Sequence, residues 1–592
     1  MYEDNQSGPV SGGEGGNGTY LNIYGLNFGS SQGSSTVTIN GTAAAQYLYW
    51  GADPTGERQR IGIQVASGTT TGSIVVTTSG GSCTAGTFTV RSGHIYYFGS
   101  AIDNGTPGNC TALLGSNSYS SPAGFTNSAV PDSSGQYSNY KTPETYYQCF
   151  SPGDTGVFLN GANYELYDGR GFHSSFTTGD ITATSSQPIT FMVRPGSTAQ
   201  IGGVASDSNG VGGTGPSAAY NNFYGFTMEG VNGNARTAIY AWDYNRVIGN
   251  TLLCPACNLS VGGGLESGDP GGTGSATGIV ALGNNILNIS SATSGGPVKT
   301  FHCVYLYGNS FEFGWNKISG GPCYNGLQVN LDSSAGSWGF NIHDNDIADV
   351  NGCGLNMATI DPEYGAIYIY NNVIHHTGIA LANGESSDSP HCGISVKGSG
   401  TGTGAGTLHI WNNTLFDTAG ILNTAASGEN ESGCYMFVNS QTNVTIDLQD
   451  NVCVQPTYTY TANYNVYFAA DGSNSPSITG GHNSFYSVTT PASTTPASTY
   501  GTIGNPTLVN ITPCSPGCSY TNYEPQSSSS LIGAGVSLGP VPVLGGTSTY
   551  LTWDFNQAVR ANPPAIGAFE YASGVAPPTS LFGTYISGGS IK

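Results

Sequence analysis

Positive charge is what this sequence most lacks. Its 592 residues hold 13 Lys and Arg against 35 Asp and Glu, a formal net charge of −22. No basic run occurs, and both nucleic acid and anionic membrane need Lys/Arg clusters to hold their phosphates. Nucleic acid is therefore not an expected partner. Long apolar runs are missing too. No stretch reaches the ~18 residues of a membrane-spanning helix, so no transmembrane segment is expected. Charge of either sign is scarce, at 8 % of residues, where ordinary soluble domains carry about 25 %. A chain this poor in charge and rich in glycine invites disorder as a first reading. Aromatic residues at 11 % argue against it, as do apolar positions that recur in a fixed pattern. No leader segment is visible at Met1-Tyr2, so a mature or trimmed sequence of an exported protein is expected.

What is present is repetition. Ninety glycines and a length beyond one ordinary core point to a solenoid that grows in one dimension. An Asn followed two residues later by an apolar side chain occurs eight times: at Asn250, Asn285, Asn316, Asn345, Asn372, Asn413, Asn451 and Asn483. The residue three before the Asn is apolar in seven of the eight, and Gly480 is the exception. Spacings run from 27 to 41 residues, which means coils with a constant core and variable loops. Asn tolerates the left-handed backbone of a tight corner, and stacked Asn side chains can hydrogen-bond along the axis. A second strand type begins with Gly, as in Gly278-Ile279-Val280, Gly326-Leu327, Gly393-Ile394 and Gly433-Cys434, and is expected to form another wall. A propeller is the alternative all-β solution, but its blades need about 40–45 residues each, and several intervals are shorter.

The first ninety residues differ. Short alternating strands at Tyr20-Ile23, Val37-Ile39, Ile61-Ile63, Ile74-Val76 and Phe88-Val90 suggest a β-sandwich. The stretches GTYLNIYGLNFG (18–29), TGSIVVTTSGG (71–81) and GTFTV (86–90), with Trp50, resemble an IPT/TIG domain. That resemblance implies an immunoglobulin-like module with a spacer, adhesion or accessory binding role. Farther on, Pro152-Gly153-Asp154, Gln187-Pro188-Ile189-Thr190 and, near the end, Leu531-Ile532-Gly533-Ala534-Gly535, Asp554, Arg560 and Ile566-Gly567-Ala568-Phe569-Glu570 resemble bacterial right-handed β-helix repeat proteins. The expected fold is all-β: an N-terminal immunoglobulin-like sandwich over 1–91, a connecting segment and cap over 92–155, a long right-handed parallel β-helix over 156–572, and a tail over 573–592 that is a candidate assembly contact. Arg560 is expected to pair with Asp554 or Glu570.

Thirteen cysteines suit an oxidising compartment outside the cell. Cys254-Pro-Ala-Cys257 reads as a local disulfide, as packed thiols, or as half a metal site whose second half is missing. Cys514 and Cys518 form a similar short loop, and Cys110 and Cys149 bracket a polar insertion. Cys303, Cys353 and Cys453 read as fillers of the solenoid interior.

Chemistry is harder to place. Acids collect in loops of the central coils: Asp332, Asp361, Glu363, Glu385, Asp388, Glu429 and Glu431, near His375, His376, His391 and Lys397. If the protein is an enzyme, Asp361, Glu363, Glu385, Asp388 and His391 are the expected catalytic set, since glycoside hydrolysis needs two carboxylates and a lyase needs a base. Trp338, Tyr364 and Trp411 are candidate sugar-stacking faces. Calcium is a candidate ligand of the acidic loops; no other cofactor or metal is expected. None of the paired-aspartate, Gly-His-Gly or Arg-x-Lys signatures of polygalacturonases occurs, and Lys317 reads as surface decoration. Two functions stay open. One is an extracellular structural or adhesive surface or matrix protein that assembles head-to-tail and contacts glycans, its partners being itself and polysaccharide. The other is a secreted polysaccharide lyase or glycoside hydrolase.

Overall fold

The computed structural model describes residues 1–98, 151–164, 183–202, 219–230, 237–257, 262–268, 275–291, 300–319, 321, 323–331, 339–360, 362–380, 391–396, 405–418, 432–438, 444–456, 467–471, 477–488, 497–512, 517–541 and 549–571. Three long parallel sheets wind around one apolar core as a parallel β-helix. The first face has twelve strands, from Ile95–Phe98 to Ser477–Gly481. The second has twelve, from Gly161–Tyr164 to Gly501–Ile503. The third has eight, from Ile239–Ala241 to Phe468–Asp471. A representative coil runs Phe340–His343, Asp346–Val350, Leu355–Thr359 and so visits each face once. Inward rows follow the period of two. Ala281, Phe313, Ile342, Ile369, Ile410 and Leu448 line the first face, and Ile286, Ile318, Ile347, Ile374 and Leu415 the second. Leu265, Val304, Leu327, Leu355 and Ile394 line the third.

The corner between the first and second faces carries the asparagine column. Asn250, Asn284, Asn316, Asn345, Asn372, Asn413, Asn451 and Asn483 stack rung on rung. Each of the first seven donates from Nδ2 to the Oδ1 of the next, at 2.9–3.1 Å. The backbone N–H of each donates to the same oxygen, also at 2.9–3.1 Å. The second Nδ2 proton reaches a carbonyl of the preceding coil, as Asn345 does to Phe313 at 2.9 Å. Every polar atom of these buried amides is used, which a carboxylate or an alcohol could not achieve.

Two expectations are corrected here. The column member is Asn284, not Asn285, whose side chain instead donates to the Pro54 carbonyl at 2.7 Å. The left-handed residue is also not the Asn but the one before it: Gly249, Gly283, Trp315, Asp344, Asn371, Asn412, Asp450 and His482 all have φ between 52° and 65°. The Gly-initiated strands at Leu327, Ile394 and Cys434 do share the third face, whereas Ile279–Leu282 belongs to the first.

The N-terminal residues form two sheets of four and five strands, antiparallel except for the parallel edge pair of Ser7–Gly8 with Gly81–Val90, around Leu21, Ile23, Val37, Ile61, Ile74 and Phe88. This sandwich is not a spacer at the end of the solenoid. It lies along the flank of the first face, where Tyr2, Tyr20 and Tyr24 share a buried cluster with the outward-pointing Val157, Met192, Tyr224, Ile248, Leu282 and Trp315. The boundaries shift too. The first rung is Ile95–Phe98, paired with Thr155–Phe158, and the last is Gly501–Ile503. The described residues of 504–571 form no coils. They fold back along the outside, where Leu508, Tyr523, Leu531, Phe555, Ile566 and Phe569 cover the outward Val373, Phe416, Val452 and Val454.

Replacing Asn345 by Ala strands the Asn316 donors and the Phe313 carbonyl, leaves Asn372 Oδ1 with only the backbone N–H of residue 345, and should cost about 3 kcal/mol or more in chemical denaturation. Asn285→Ala removes one interfacial bond and should cost about 1 kcal/mol. Equal losses would remove the column from its central position.

Candidate functional site

Two of the three faces are occupied by the chain itself. Along the first face, the sandwich covers the early coils, and Val541, Leu538 and Leu551 cover Tyr368, Tyr370 and Trp411. Trp411 is 6 % exposed and donates from Nε1 to Asp447 at 2.9 Å. It is therefore corrected from a glycan-stacking candidate to a docking residue.

The junction of sandwich, solenoid and returning segment holds a polar clasp. Glu57 of the sandwich meets Lys317 at 3.0 Å, and Lys317 lies 3.7 Å from Asp346. Asp346 bonds His375 at 2.8 Å, and the other ring nitrogen of His375 is 3.1 Å from the Tyr523 hydroxyl. Lys317 is thus a structural ion-pair partner and not surface decoration. Burial, reinforced by neighbouring Asp346, pushes the Glu57 carboxyl well up. Asp346 is held low despite its burial because His375 and Lys317 stabilise its charge. The side chains of Glu57, Asp346 and His375 are 3 %, 4 % and 1 % exposed, so this constellation fastens parts of the chain and admits no substrate. One coil edge away, His343 stacks on Tyr370 with ring centres 5.0 Å apart and bonds Asp344 at 2.8 Å. Burial opposes its charge, but Asp344 and Glu312 prevail and raise it to about 9. Arg560 pairs with Glu570 at 3.3 Å, while Asp554 accepts backbone N–H bonds from Ala558 and Glu570.

The third face is different. Outward positions alternate with the core rows, and the strand register aligns them as Tyr240, Glu266, Tyr305, Gln328, Asn356, Ser395 and Met436. Six of these seven are polar or phenolic, in unbroken succession from Tyr240 to Ser395. All seven are 9 % exposed or less, so the row is screened from solvent. Its edge at the strand starts carries His302, Tyr324 and His391, with ring centres 6.1–6.2 Å apart along the series. Disulfides Cys303–Cys323 and Cys353–Cys392 tie neighbouring coils along that edge. Cys434–Cys453 crosses the interior from third face to second, and Cys254–Cys257 closes a local loop. The interior-filler expectation for Cys303, Cys353 and Cys453 is thereby replaced by cross-links between strands and coils. Cys518 is disulfide-bonded; Cys110, Cys149 and Cys514 lie outside the described residues.

Of the expected catalytic set, Asp361, Glu385 and Asp388 lie outside the described residues, as do Trp338, Asp332, Glu429, Glu431 and Lys397. Glu363 and Tyr364 sit in a short turn beyond the strand ends of the third face, and His391 stands at the strand starts. They flank opposite edges, about 15 Å of strand apart, and do not converge. Among the described residues no group of three or more His, Cys, Asp or Glu is placed to hold a metal ion, and no helix is long and apolar enough to cross a membrane. The outward-row residues Tyr305, Gln328 and Asn356 were missed in the sequence. The signal was available: each is a polar or phenolic residue flanked by two apolar ones in a Gly-initiated or cysteine-bearing strand. Comparison of the chain with protein-family models, curated proteins and solved structures found no match.

The buried titrating groups fix a pH dependence. His343 at about 9, and Glu3 and Asp554 raised by burial to about 7, all bind their protons more tightly folded than unfolded. Their stabilising effect is full below the unfolded values and is lost as pH rises through the folded ones. Asp346 and Asp447 are lowered and act oppositely, losing their effect at low pH. Thermal stability should therefore peak near about pH 5 and fall steadily to pH 9. His343→Gln should flatten the part of that fall above pH 7. A melting temperature that climbs from pH 5 to pH 9 would contradict these assignments.

Proposed function

We propose that this is an exported surface or matrix protein that holds an extracellular polysaccharide along its third face. The observation that carries the reading is the division of labour among the faces. The chain ends cover the first two, while the third carries a row of phenol, amide and hydroxyl side chains. Successive coils stack ~4.8 Å apart, close to the rise of one sugar in an extended glycan, so each rung offers its outward side chain to one residue of the ligand. Tyr and His rings beside amides are the pairing that binds sugars, apolar ring faces stacking while hydroxyls are hydrogen-bonded. The eight strands of this face contain no Lys or Arg, and Glu266 is the one carboxylate in the outward row from Tyr240 to Met436. Hydrolysis needs two carboxylates and elimination needs a neutraliser, so a binding role is the better supported one. Four disulfides suit life outside the cell. The sandwich, with its IPT/TIG-like sequence, serves as a brace for the early coils.

Head-to-tail assembly is the second reading. The last strands of the first two faces, Ser477–Gly481 and Gly501–Ile503, are largely exposed and end their sheets. Ile503 and Val488 beside them are exposed apolar residues. Open strand edges of this kind pair with further strands.

Co-sedimentation with a panel of insoluble polysaccharides tests the first reading. At least one should retain the protein, and Tyr305→Ala should weaken retention about tenfold, a loss of ~1.4 kcal/mol. No retention by any glycan would sink it, and filaments in electron micrographs would then favour the second.

A further inference from the structure

The sandwich and the solenoid are joined through a short connection. The Arg91 N–H donates to the Gly8 carbonyl, inside the sandwich, at 3.1 Å. The His94 N–H donates to Asp154 Oδ1, on the solenoid, at 2.7 Å. Ser92 and Gly93 alone lie between these anchors, and Gly93 has φ 151°, a conformation that favours glycine. The polar contact of the sandwich with Lys317 and Asp346 lies far from this joint. Those residues follow the seventh and eighth strands of the first face, about 30 Å along the axis from the first rung. A cover with its joint at one end and its polar contact at the other has the layout of a lid.

That far contact depends on one proton. Glu57 and Asp346 hydrogen-bond each other across the seam. Two carboxyls can do so only while one of them is protonated. Their side chains are 3 % and 4 % exposed. The solenoid sets Lys317 between them, at 3.0 Å from Glu57 and 3.7 Å from Asp346, and His375 behind Asp346. The sandwich adds Arg58, 3.7 Å from Glu57, whose Nη1 makes no hydrogen bond. The returning segment adds Tyr520, which interacts with the Glu57 charge, and Tyr523 behind His375. Loss of the proton sets two carboxylates against each other out of water, with one lysine shared between them, and that is costly.

Two further acids of the sandwich repeat the logic nearer the joint. Glu3 and Asp4 are buried beside Arg246 and Tyr224 of the solenoid and Arg60 and Tyr24 of the sandwich. Burial raises their carboxyls to about 7 and about 6. All three acids bind protons more tightly docked than free. Docking is therefore strongest below their free values and weakens as pH rises through the docked ones. Asp346, held low, loses its part only in acid.

We propose that the sandwich is a proton-latched lid. It covers the first face while Glu57 and Asp346 share a proton. It swings about Ser92-Gly93 when that proton leaves, baring Tyr224, Ile248, Leu282 and Trp315. His343 also stands against Trp315, but its partners Asp344 and Glu312 lie on the solenoid with it and stay when the lid opens. The lid is independent of polysaccharide binding.

The test is hydroxyl-radical footprinting of the full chain, read by mass spectrometry at two tryptophans. Trp315 lies beneath the sandwich and Trp411 beneath the returning segment, and both are 6 % exposed. Above about pH 7, Trp315 labelling should rise by up to about tenfold per pH unit, the slope for release of one proton, while Trp411 stays level. Glu57→Gln keeps the shape and a donor for Asp346 but has no proton to lose. Its Trp315 labelling should stay level over the same range. A level Trp315 in the unaltered chain would overturn the lid, whether or not the variant folds. Parallel rises at both tryptophans would mean whole-chain unfolding and would overturn it too. A Glu57→Gln profile that follows the unaltered one would remove Glu57 as the latch.

Discussion

Everything in this molecule is registered against a buried column of amides. A parallel coil must turn sharply three times per rung, and each turn threatens to leave backbone groups unpaired inside. At the corner between the first and second faces the column resolves this. A left-handed residue makes the turn, and the Asn that follows gives the corner backbone of the preceding rung an acceptor while passing its own proton to the next rung. Because each Asn bonds both neighbours, a one-residue slip in any coil breaks two links and turns its side chains to the wrong face. The strict rows of the core, and hence the strict outward rows, follow from that constraint.

The column also explains how the ends of the chain are used. Where the corner residue is Gly249 or Gly283, a Cβ would overlap the hydroxyl of Tyr24 or Tyr2. Glycine there gives both the left-handed turn and the close approach of the sandwich. Farther along, the corner residues become Trp315, Asp344, Asn371, Asn412 and Asp450, and these are bonding or stacking groups for docking. Trp315 stacks on Tyr2 at 4.5 Å, and Asn371 donates to the Trp553 carbonyl and accepts from Arg560. The two covers meet where Arg58 of the sandwich lies over the Phe555 ring of the returning segment. Buried charge at such a junction is weak as a source of stability, since desolvation offsets the attraction. Its effect is to fix one docking geometry, because Glu57, Lys317, Asp346 and His375 are satisfied in only one arrangement.

Much of the fold was legible because period-two apolar rows and a recurring Asn are local signals. The error of one residue at Asn285 arose because Asn284 and Asn285 are adjacent and Ile286 and Leu287 are both apolar, so pattern alone could not choose. The docking of the sandwich was signalled less plainly. Strands such as Ile279-Val280-Ala281-Leu282 are apolar without alternation, as strands buried on both sides are, and that continuity is the mark of a covered face. The acidic loops drew attention as a site because acids are conspicuous in a charge-poor chain. The outward row is built from Tyr, Gln, Asn and Ser, which are abundant everywhere in this sequence, and only the strand register lines them up.

The choice of residues in that row bears on why the face is kept uncovered by the chain ends. A purely structural solenoid gains by filling its outward positions with Thr or Val, which fit a pleated surface and leave no buried polar atom unmet. The first face does this in its early coils, with Val157, Ile248, Val280 and Leu282 beneath the sandwich. The third face, made by the same winding and the same core, instead chains Asn325, Gln328 and Asn356 into a fixed polarity that ends on an acceptor with no donor. An amide chain anchored by a backbone N–H at one end and open at the other is directional. Such an end costs about 1–3 kcal/mol, so this face gives up stability that the apolar outward rows of the first face retain.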